Sequence, residues 1–446
     1  MLKYLSGVIL CWMLLSCKSG TVTTINIQIE GMNEGEQPLL IAGDQTYKPD
    51  FDTTGFAVFK VEELAGPTDA ILQCGKYCAA VYMEPGKGLD IYMSVDSSSL
   101  SVDFSGEGAR CNEVLNGKYQ IPLKQPDYTL GENEFIRLLE EHVRKNDEIL
   151  DTLGLGEVFT GFMKSRLRYN TFSLLGEYPV RHARLTGYYQ PSEYYIGYID
   201  SLLIEEDDLL RYPDYKKALA GWISVGSGAD YAVDAWKSLS SRLDYIRKRV
   251  HRTGVREFLV DKYVMEYIKK EGIDSLGDAV SFYRSSVSDP GRKDAFEKLY
   301  GELQRIAPGQ ISPGFQYRGI DSTDVSLQEL EGRFIYIGLW ASWCKPSREE
   351  LYHMKALEKN PRNKNICFVA ISCDDDPETW ANTVREMNPG CIQLYNGGDK
   401  AFMEAYRVSS LPHFILLDRE GKIMNADMSR PSEAKTWALF KKLEKS

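Results

Sequence analysis

The chain passes from a strand pattern straight into a helix start, and one cysteine lies at the junction. Phe334-Ile335-Tyr336-Ile337 reads as strand and runs on into Leu339 and Trp340. The chain then turns through Ala341-Ser342-Trp343-Cys344, and a helix begins near Pro346. A strand, a tight turn and a helix account for that order. They set the Cys344 thiol at a helix N-terminus, where unpaired N–H groups and the helix dipole favour a thiolate. Lys345 and Arg348 push the same way, and Glu349 and Glu350 push back.

The surrounding pattern alternates. Strands are predicted near residues 333–340, 366–373, 391–395, 413–418 and 422–427, with helices near 346–359, 377–387, 399–406 and 432–444. Alternation of this kind implies a partly parallel sheet covered on both faces. Ile306-Ala307-Pro308-Gly309-Gln310-Ile311-Ser312-Pro313-Gly314 precedes it and reads as a linker.

Upstream the character differs. Thr24-Ile25-Asn26-Ile27-Gln28-Ile29 alternates at period two, and further short runs follow to about residue 107, which predicts a small β-sandwich. From about 115 to 305 the pattern is helical, with apolar stripes such as Phe135, Leu138, Leu139, His142 and Val143, or Trp236, Leu239, Leu243, Ile246 and Val250. Pro213 marks a helix start. Tyr188, Tyr189, Tyr194, Tyr195 and Tyr198 gather around Pro191 and read as packing of the helical region, with a sugar or peptide surface as the other option. A chain of 446 residues suggests roughly three domains. The divisions are 1–16 signal peptide, 17–21 tether, 22–114 β-sandwich, 115–305 helical region and 306–446 α/β domain.

Net charge is −11, which argues against nucleic acid or an anionic membrane surface as partner. The basic run Arg247-Lys248-Arg249 suits the negative end of a helix. His142, His182, His251, His353 and His413 show no metal-ligand spacing, so neither metal nor cofactor is expected.

The N-terminus pairs Lys3 with an apolar run, Leu5 to Leu15, too short to span a bilayer. It ends in Leu14-Leu15-Ser16-Cys17, which resembles the bacterial lipoprotein box. That resemblance implies cleavage before Cys17, lipid on its sulfur, and Lys18-Ser19-Gly20 as the start of a tether. No acidic cluster follows Cys17, so the implied location is the cell envelope, facing the periplasm on the outer membrane. Cys11 leaves with the signal. Cys74, Cys78, Cys111, Cys344, Cys367, Cys373 and Cys391 remain in an oxidising compartment; the odd number leaves a free thiol, and Cys344 is the natural one. Cys74 and Cys78 flank a turn, Gly75-Lys76-Tyr77, and are either a disulfide or two small buried residues.

Trp340-Ala341-Ser342-Trp343-Cys344-Lys345-Pro346, followed by Val408-Ser409-Ser410-Leu411-Pro412-His413-Phe414, resembles the thioredoxin fold. Gly309 to Phe315 and Asp418-Arg419-Glu420-Gly421-Lys422 resemble its TlpA-like extracytoplasmic branch. The order of anchor, β-domain and helical region is similar to thioredoxin-family lipoproteins of the Bacteroidetes type, with Gly106 to Asn112 and Leu115 as its best segment. The resemblance implies a cis-proline at Pro412 beside the reactive Cys344, with Trp343, Lys345, Pro346, Leu411 and His413 positioning the substrate chain. The partners it implies are thiols or disulfides of envelope proteins.

The departures are specific. Ser347 stands where a second cysteine would free a mixed disulfide. Gly338 stands where a buried acid or amide is common, and His413 follows the proline where threonine is common. Cys373, at the end of the neighbouring strand, is the one option for a resolving thiol; a strand-end cysteine of no special role is the other. His413 is either a general acid or base or an incidental residue. A peroxiredoxin arrangement needs threonine or serine three residues before the cysteine, and that position is Ala341. Two functions follow: thiol-disulfide exchange by Cys344 alone, as reductase, isomerase or trap, or a degenerate binding module for envelope proteins, peptides or glycans.

Overall fold

The computed structural model describes residues 22–444, apart from residues 31–36, 44, 52–55, 63, 65, 96–99, 124, 232–233 and 274–275. The expected signal peptide with Cys11, the expected lipidation at Cys17 and the expected tether lie outside the described residues. The chain forms two compact units. One runs to Tyr231 and takes in Arg247–Val255; the other holds Ala232–Ile246 and Arg256–Ser446.

The first unit begins with a β-sandwich. Its strands are β1 (Thr23–Glu30), β2 (Leu39–Ala42), β3 (Gln45–Tyr47), β4 (Asp50–Phe51), β5 (Phe56–Val61), β6 (Thr68–Cys74), β7 (Tyr77–Met83), β8 (Leu89–Val95) and β9 (Leu100–Ser105). They form two sheets, β4-β5-β1-β8-β9 and β3-β2-β6-β7. The period-two pattern of β1 turns Ile25, Ile27 and Ile29 inward against Leu40, Phe59, Leu72 and Ile91. Each such side chain contributes about 1.5–3 kcal/mol through burial.

The β6–β7 hairpin corrects one expectation. Cys74 pairs with Tyr77, and Gln73 pairs with Cys78. Successive residues alternate faces, so Cys74 points into the core while Cys78 is exposed. Neither cysteine is in a disulfide, so the pairing left open above is not formed, and the exposed Cys78 is not a small buried residue either.

The first unit continues with α1 (Ala109–Leu115), α2 (Glu132–Thr152), α3 (Glu157–Thr186), α4 (Glu193–Leu202) and α5 (Pro213–Ser227). Asn112 ties α1 to β7. It is fully buried, its Oδ1 accepts the Tyr82 N–H at 2.7 Å, and its Nδ2 donates to the Tyr82 carbonyl at 2.9 Å. Helices α3 and α5 touch backbone to backbone at Gly176 and Gly221, where a Cβ built on Gly176 would lie 2.4 Å from the Gly221 Cα. The tyrosine cluster divides. Tyr195 is fully buried and its hydroxyl donates to the Leu175 carbonyl at 2.8 Å, whereas Tyr188 is 89% exposed.

Four further helices follow, α6 (Ala235–Arg249), α7 (Thr253–Glu271), α8 (Ala279–Ser286) and α9 (Pro290–Arg305). Within the second unit, Glu257 of α7 caps the start of α9. Its carboxylate accepts from the Ser288 hydroxyl at 2.6 Å and from the Asp289 amide at 3.0 Å.

The rest of the second unit is an α/β domain. Its strands are β10 (Gln316–Gly319), β11 (Asp324–Ser326), β12 (Phe334–Trp340), β13 (Ile366–Ser372), β14 (Ile392–Tyr395), β15 (His413–Leu417) and β16 (Ile423–Asn425). Its helices are α10 (Lys345–Glu358), α11 (Pro377–Met387), α12 (Ala401–Ala405) and α13 (Ala434–Leu443). The sheet order is β11-β10-β14-β13-β12-β15-β16. Strands β12, β13 and β14 are parallel, and β15 runs antiparallel to β12. Every residue of β12 and β13 is buried, as expected of central strands covered on both faces. Ile335, Ile337, Val369 and Ile371 face one core, and Tyr336, Trp340, Phe368 and Phe440 face the other.

The segment read as a linker is part of this domain. Ile306 is buried in the first of those cores. The Gly309 N–H donates to the Ile423 carbonyl at 2.7 Å, the Ile423 N–H to the Gln310 carbonyl at 2.8 Å, and the Ser312 N–H to the Gly421 carbonyl at 3.0 Å. These bonds cover the β16 edge of the sheet.

Candidate active site

Strands β12 and β13 end side by side, with Trp340 opposite Ser372. The carboxyl ends of parallel strands are where such sheets build sites. From Trp340 the chain enters a turn closed by the Cys344 N–H donating to the Ala341 carbonyl at 3.1 Å. Cys344 then serves as the N-cap of α10, with Pro346 in the first helical turn. The Cys344 carbonyl accepts the first helical bond, from the Arg348 N–H at 3.1 Å. Proline is tolerated there because its missing N–H has no partner to lose.

The Cys344 thiol is half-buried and free. Its Sγ donates to the Leu411 carbonyl at 3.6 Å, and the Leu411–Pro412 peptide bond is cis. Trp343 stands 71% exposed beside it. Trp343, Leu411, Val408, Met403 and Cys373 line a largely apolar cleft of about 330 Å³. The structure therefore brings Cys344 against the Leu411–Pro412 loop, and Cys373 lines the cleft that Trp343 and Leu411 share. Lys345 turns to solvent, with its Nζ 3.9 Å from a Glu349 oxygen.

A thioredoxin-like family model matches residues 332–423, a span that holds both Cys344 and the cis-proline loop. The Bacillus subtilis thioredoxin-like protein YneN is 30% identical over 127 residues, which cover 27% of this chain and 71% of YneN. The chain belongs to the thioredoxin-like family. A thiol-disulfide oxidoreductase ResA of Bacillus thuringiensis is 21% identical over 148 residues, covering 33% of this chain and 85% of that protein. A solution structure of a putative thiol-disulfide oxidoreductase from Bacteroides vulgatus is 46% identical, covering 29% of this chain and 86% of that one, at a TM-score of 0.28.

Within this thioredoxin-like domain the departures have physical accounts. Ser347 is 1% exposed, and its Oγ has no hydrogen-bond partner among the described residues. Gly338 pairs with Phe414 across the sheet, and a Cβ at Gly338 would lie 2.9 Å from the Phe414 ring. The ring fills the space an acidic side chain would need. The His413 Nε2 lies 2.8 Å from the Ala426 carbonyl, and its Nδ1 lies 3.6 Å from an Asp427 oxygen. The Nε2 thus has a backbone partner, and the Nδ1 faces an exposed carboxylate beyond hydrogen-bond distance.

Cys373 follows β13 directly. Its N–H donates to the Trp340 carbonyl at 2.8 Å, which extends the ladder between the two strands. Burial pushes its thiol up to about 12, with the neighbouring Asp374 charge adding to the effect. Burial also raises the Cys367 thiol, whose residue lies in the same core as Cys373. It raises Cys391 too, where Gln393 Nε2 donates to the sulfur at 2.8 Å. Among the described residues no group of three or more histidine, cysteine, aspartate or glutamate side chains is placed to hold a metal ion.

Two residues of the site escaped the reading from sequence. Ser342 and Asp374 meet at the ends of β12 and β13, with Ser342 Oγ donating to Asp374 Oδ1 at 2.7 Å. The only signal for them was position: each lies just past the end of a strand expected to pair with the other.

Proposed function

We propose that this protein performs thiol-disulfide exchange on envelope proteins, with Cys344 as the sole nucleophile and lipid on Cys17 as its tether. The observation that carries this is an accessible thiol at a helix N-cap, beside a cis-proline loop, with a buried serine three residues on. The names of the ResA relatives support the reaction class.

The reaction balances as follows. The Cys344 thiolate attacks one sulfur of a client disulfide, a new S–S bond forms, and the other client sulfur leaves as thiolate. Ser347 has no sulfur with which to break the mixed disulfide. Release then requires a second thiolate. If it belongs to the client, the client disulfide is rearranged with no net electron transfer. If it belongs to an external thiol and attacks the Cys344 sulfur, the client leaves reduced and Cys344 stays disulfide-bonded to that thiol. A second external thiolate then frees Cys344, so two external thiols are oxidised to a disulfide as the client disulfide is reduced. A well-placed internal thiol can have an effective molarity of about 10⁵ M, so its absence makes the mixed disulfide long-lived.

Non-reducing electrophoresis of the lipoprotein from cells tests this, with wild type beside Cys344→Ala. Covalent adducts that vanish in the variant are expected. Identical patterns in both would rule the reading out.

A second reading draws on the Sγ–Leu411 contact. A carbonyl accepts from a thiol and repels a thiolate, so this contact suits a binding module that uses the apolar cleft without redox chemistry. A Cys344 that resists iodoacetamide in the native protein favours it.

A further inference from the structure

Asp374 is 3% exposed, yet its carboxylate is well satisfied. The Ser342 N–H is shared between its two oxygens at 2.9 and 3.1 Å. The Ser342 hydroxyl donates to it at 2.7 Å, and so does the Ser372 hydroxyl. Its own N–H donates to Ser372 Oγ at 3.1 Å. A buried carboxylate is tolerated only where donors surround it. Here the donors are hydroxyls and an amide from the two strand ends.

The arrangement continues the parallel ladder with a side chain. Backbone pairing of β12 and β13 ends at Trp340 and Ser372, and the Cys373 N–H adds one more bond to Trp340. Beyond that point Asp374 holds both polar groups of Ser342. Ser342 is the second residue of the turn that ends at Cys344, and Trp343 is the third. The direction in which the chain leaves the sheet is therefore set by this clamp.

We infer that Asp374 is a positioning residue for Cys344, acting through Ser342 to fix the turn that aims the sulfur at the Leu411–Pro412 loop. The inference rests on the reading of Cys344 as nucleophile. The hydrogen bonds that Asp374 accepts come from Ser342 and Ser372. Its effect is geometric: misplacing a reacting atom by about 1 Å can slow a reaction by about 10²-fold.

The test follows alkylation of the Cys344 peptide by mass spectrometry from pH 5 to 10, in the full chain. Wild type, Asp374→Asn, Ser342→Ala, Ser342→Thr and the Asp374→Asn/Ser342→Ala pair are compared. Asp374→Asn keeps the shape but replaces one acceptor oxygen with an NH2 group, so the donors from Ser342 and Ser372 can no longer be held as they are by the carboxylate. The rate at neutral pH should fall about tenfold, and the midpoint of the pH profile should move up, as the thiolate loses its place against the helix N-terminus. Ser342→Ala should fall in the same direction. Ser342→Thr, which keeps the hydroxyl, should behave as wild type. The pair should be no slower than Asp374→Asn alone, because both changes break one linkage.

A role through charge alone would move the midpoint down when the anion is removed, and that result overturns the inference. So does an unchanged profile in folded Asp374→Asn or, should that variant not fold, in Ser342→Ala. A wild-type Cys344 that never reacts overturns the exchange reading, and this inference with it. A reactive wild type with unmoved variants overturns this inference alone.

Discussion

The Sγ of Cys344 lies 3.6 Å from the carbonyl oxygen of Leu411 and donates its proton there. Deprotonation removes that donor, and the sulfur must then find donors on α10. Pro346 has no N–H, which leaves the amides of Lys345 and Ser347 and the Ser347 hydroxyl within the first turn. Ser347→Ala is therefore expected to slow attack by Cys344. A hydrogen bond to a charged group contributes about 1.5–3 kcal/mol, so the loss should be about tenfold or more. Alkylation rates at neutral pH measure it, and an unchanged rate removes Ser347 from the chemistry.

Ser347→Cys should have the opposite kind of effect. It places a second thiol in the first turn of α10, where the serine is now buried. The mixed disulfide should collapse at least about 100-fold faster, since the resolving thiol becomes intramolecular. Insulin reduction with a small thiol as electron source checks this. No gain in turnover would mean that the long-lived adduct has another cause.

Cys373 is expected to be a poor resolving thiol. With burial holding its thiol near 12, its thiolate fraction at neutral pH is on the order of 10⁻⁵. The sign is that of an acid whose neutral form is favoured by the fold: reactivity appears only as pH rises toward that value. Mass mapping after brief alkylation at pH 8 should find Cys344 and the exposed Cys78 modified and Cys373 intact. Cys373→Ala should leave the lifetime of the Cys344 adduct unchanged.

Acid should loosen the junction of α7 and α9. Burial pushes the Glu257 carboxyl up, but the Ser288 hydroxyl, the Asp289 and Ser288 amides and Arg292 outweigh it and hold it below its usual 4.5. A depressed carboxylate stabilises above the unfolded value, and that contribution is lost as pH falls through the folded one. Glu257→Gln should lower stability by about 1–3 kcal/mol at pH 7. The gap from wild type should narrow toward pH 3 in thermal melts followed by circular dichroism.

Gly176→Ala should destabilise the helical region of the first unit. The added methyl meets the Gly221 backbone rather than a side chain that can swing away. Overpacking of this sort costs about 1–3 kcal/mol. A lowered melting midpoint at 222 nm is the expected result. Ala at Gly161, which has open space around it, serves as the control.

Much of the second unit was readable from the chain because its strands are short apolar runs between turn signals. Phe334–Trp340 and Ile366–Ser372 are buried on both faces, so each reads as one continuous apolar block. The junction at Cys344 was readable because proline two residues on marks a helix start. What stayed hidden depends on contacts between distant segments. Asp374 belongs to the run Asp374-Asp375-Asp376, which looks like a solvated stretch, and only pairing of β13 with β12 turns the first of them inward. Helix α3 buries Phe172, Ser173, Leu175, Gly176, Tyr178 and Pro179, so no single stripe announces it. The role of Gly338 requires knowing that Phe414 stands opposite.

The bonds from Gly309 and Ser312 to the last strand have a practical corollary. A recombinant fragment cut after residue 314 would bare the β16 margin and strip Ile306 from its core, leaving unpaired amides ready to recruit another molecule. Fragments meant to isolate the redox half should therefore begin upstream of Leu303, so that the covering strip and the end of α9 travel with it.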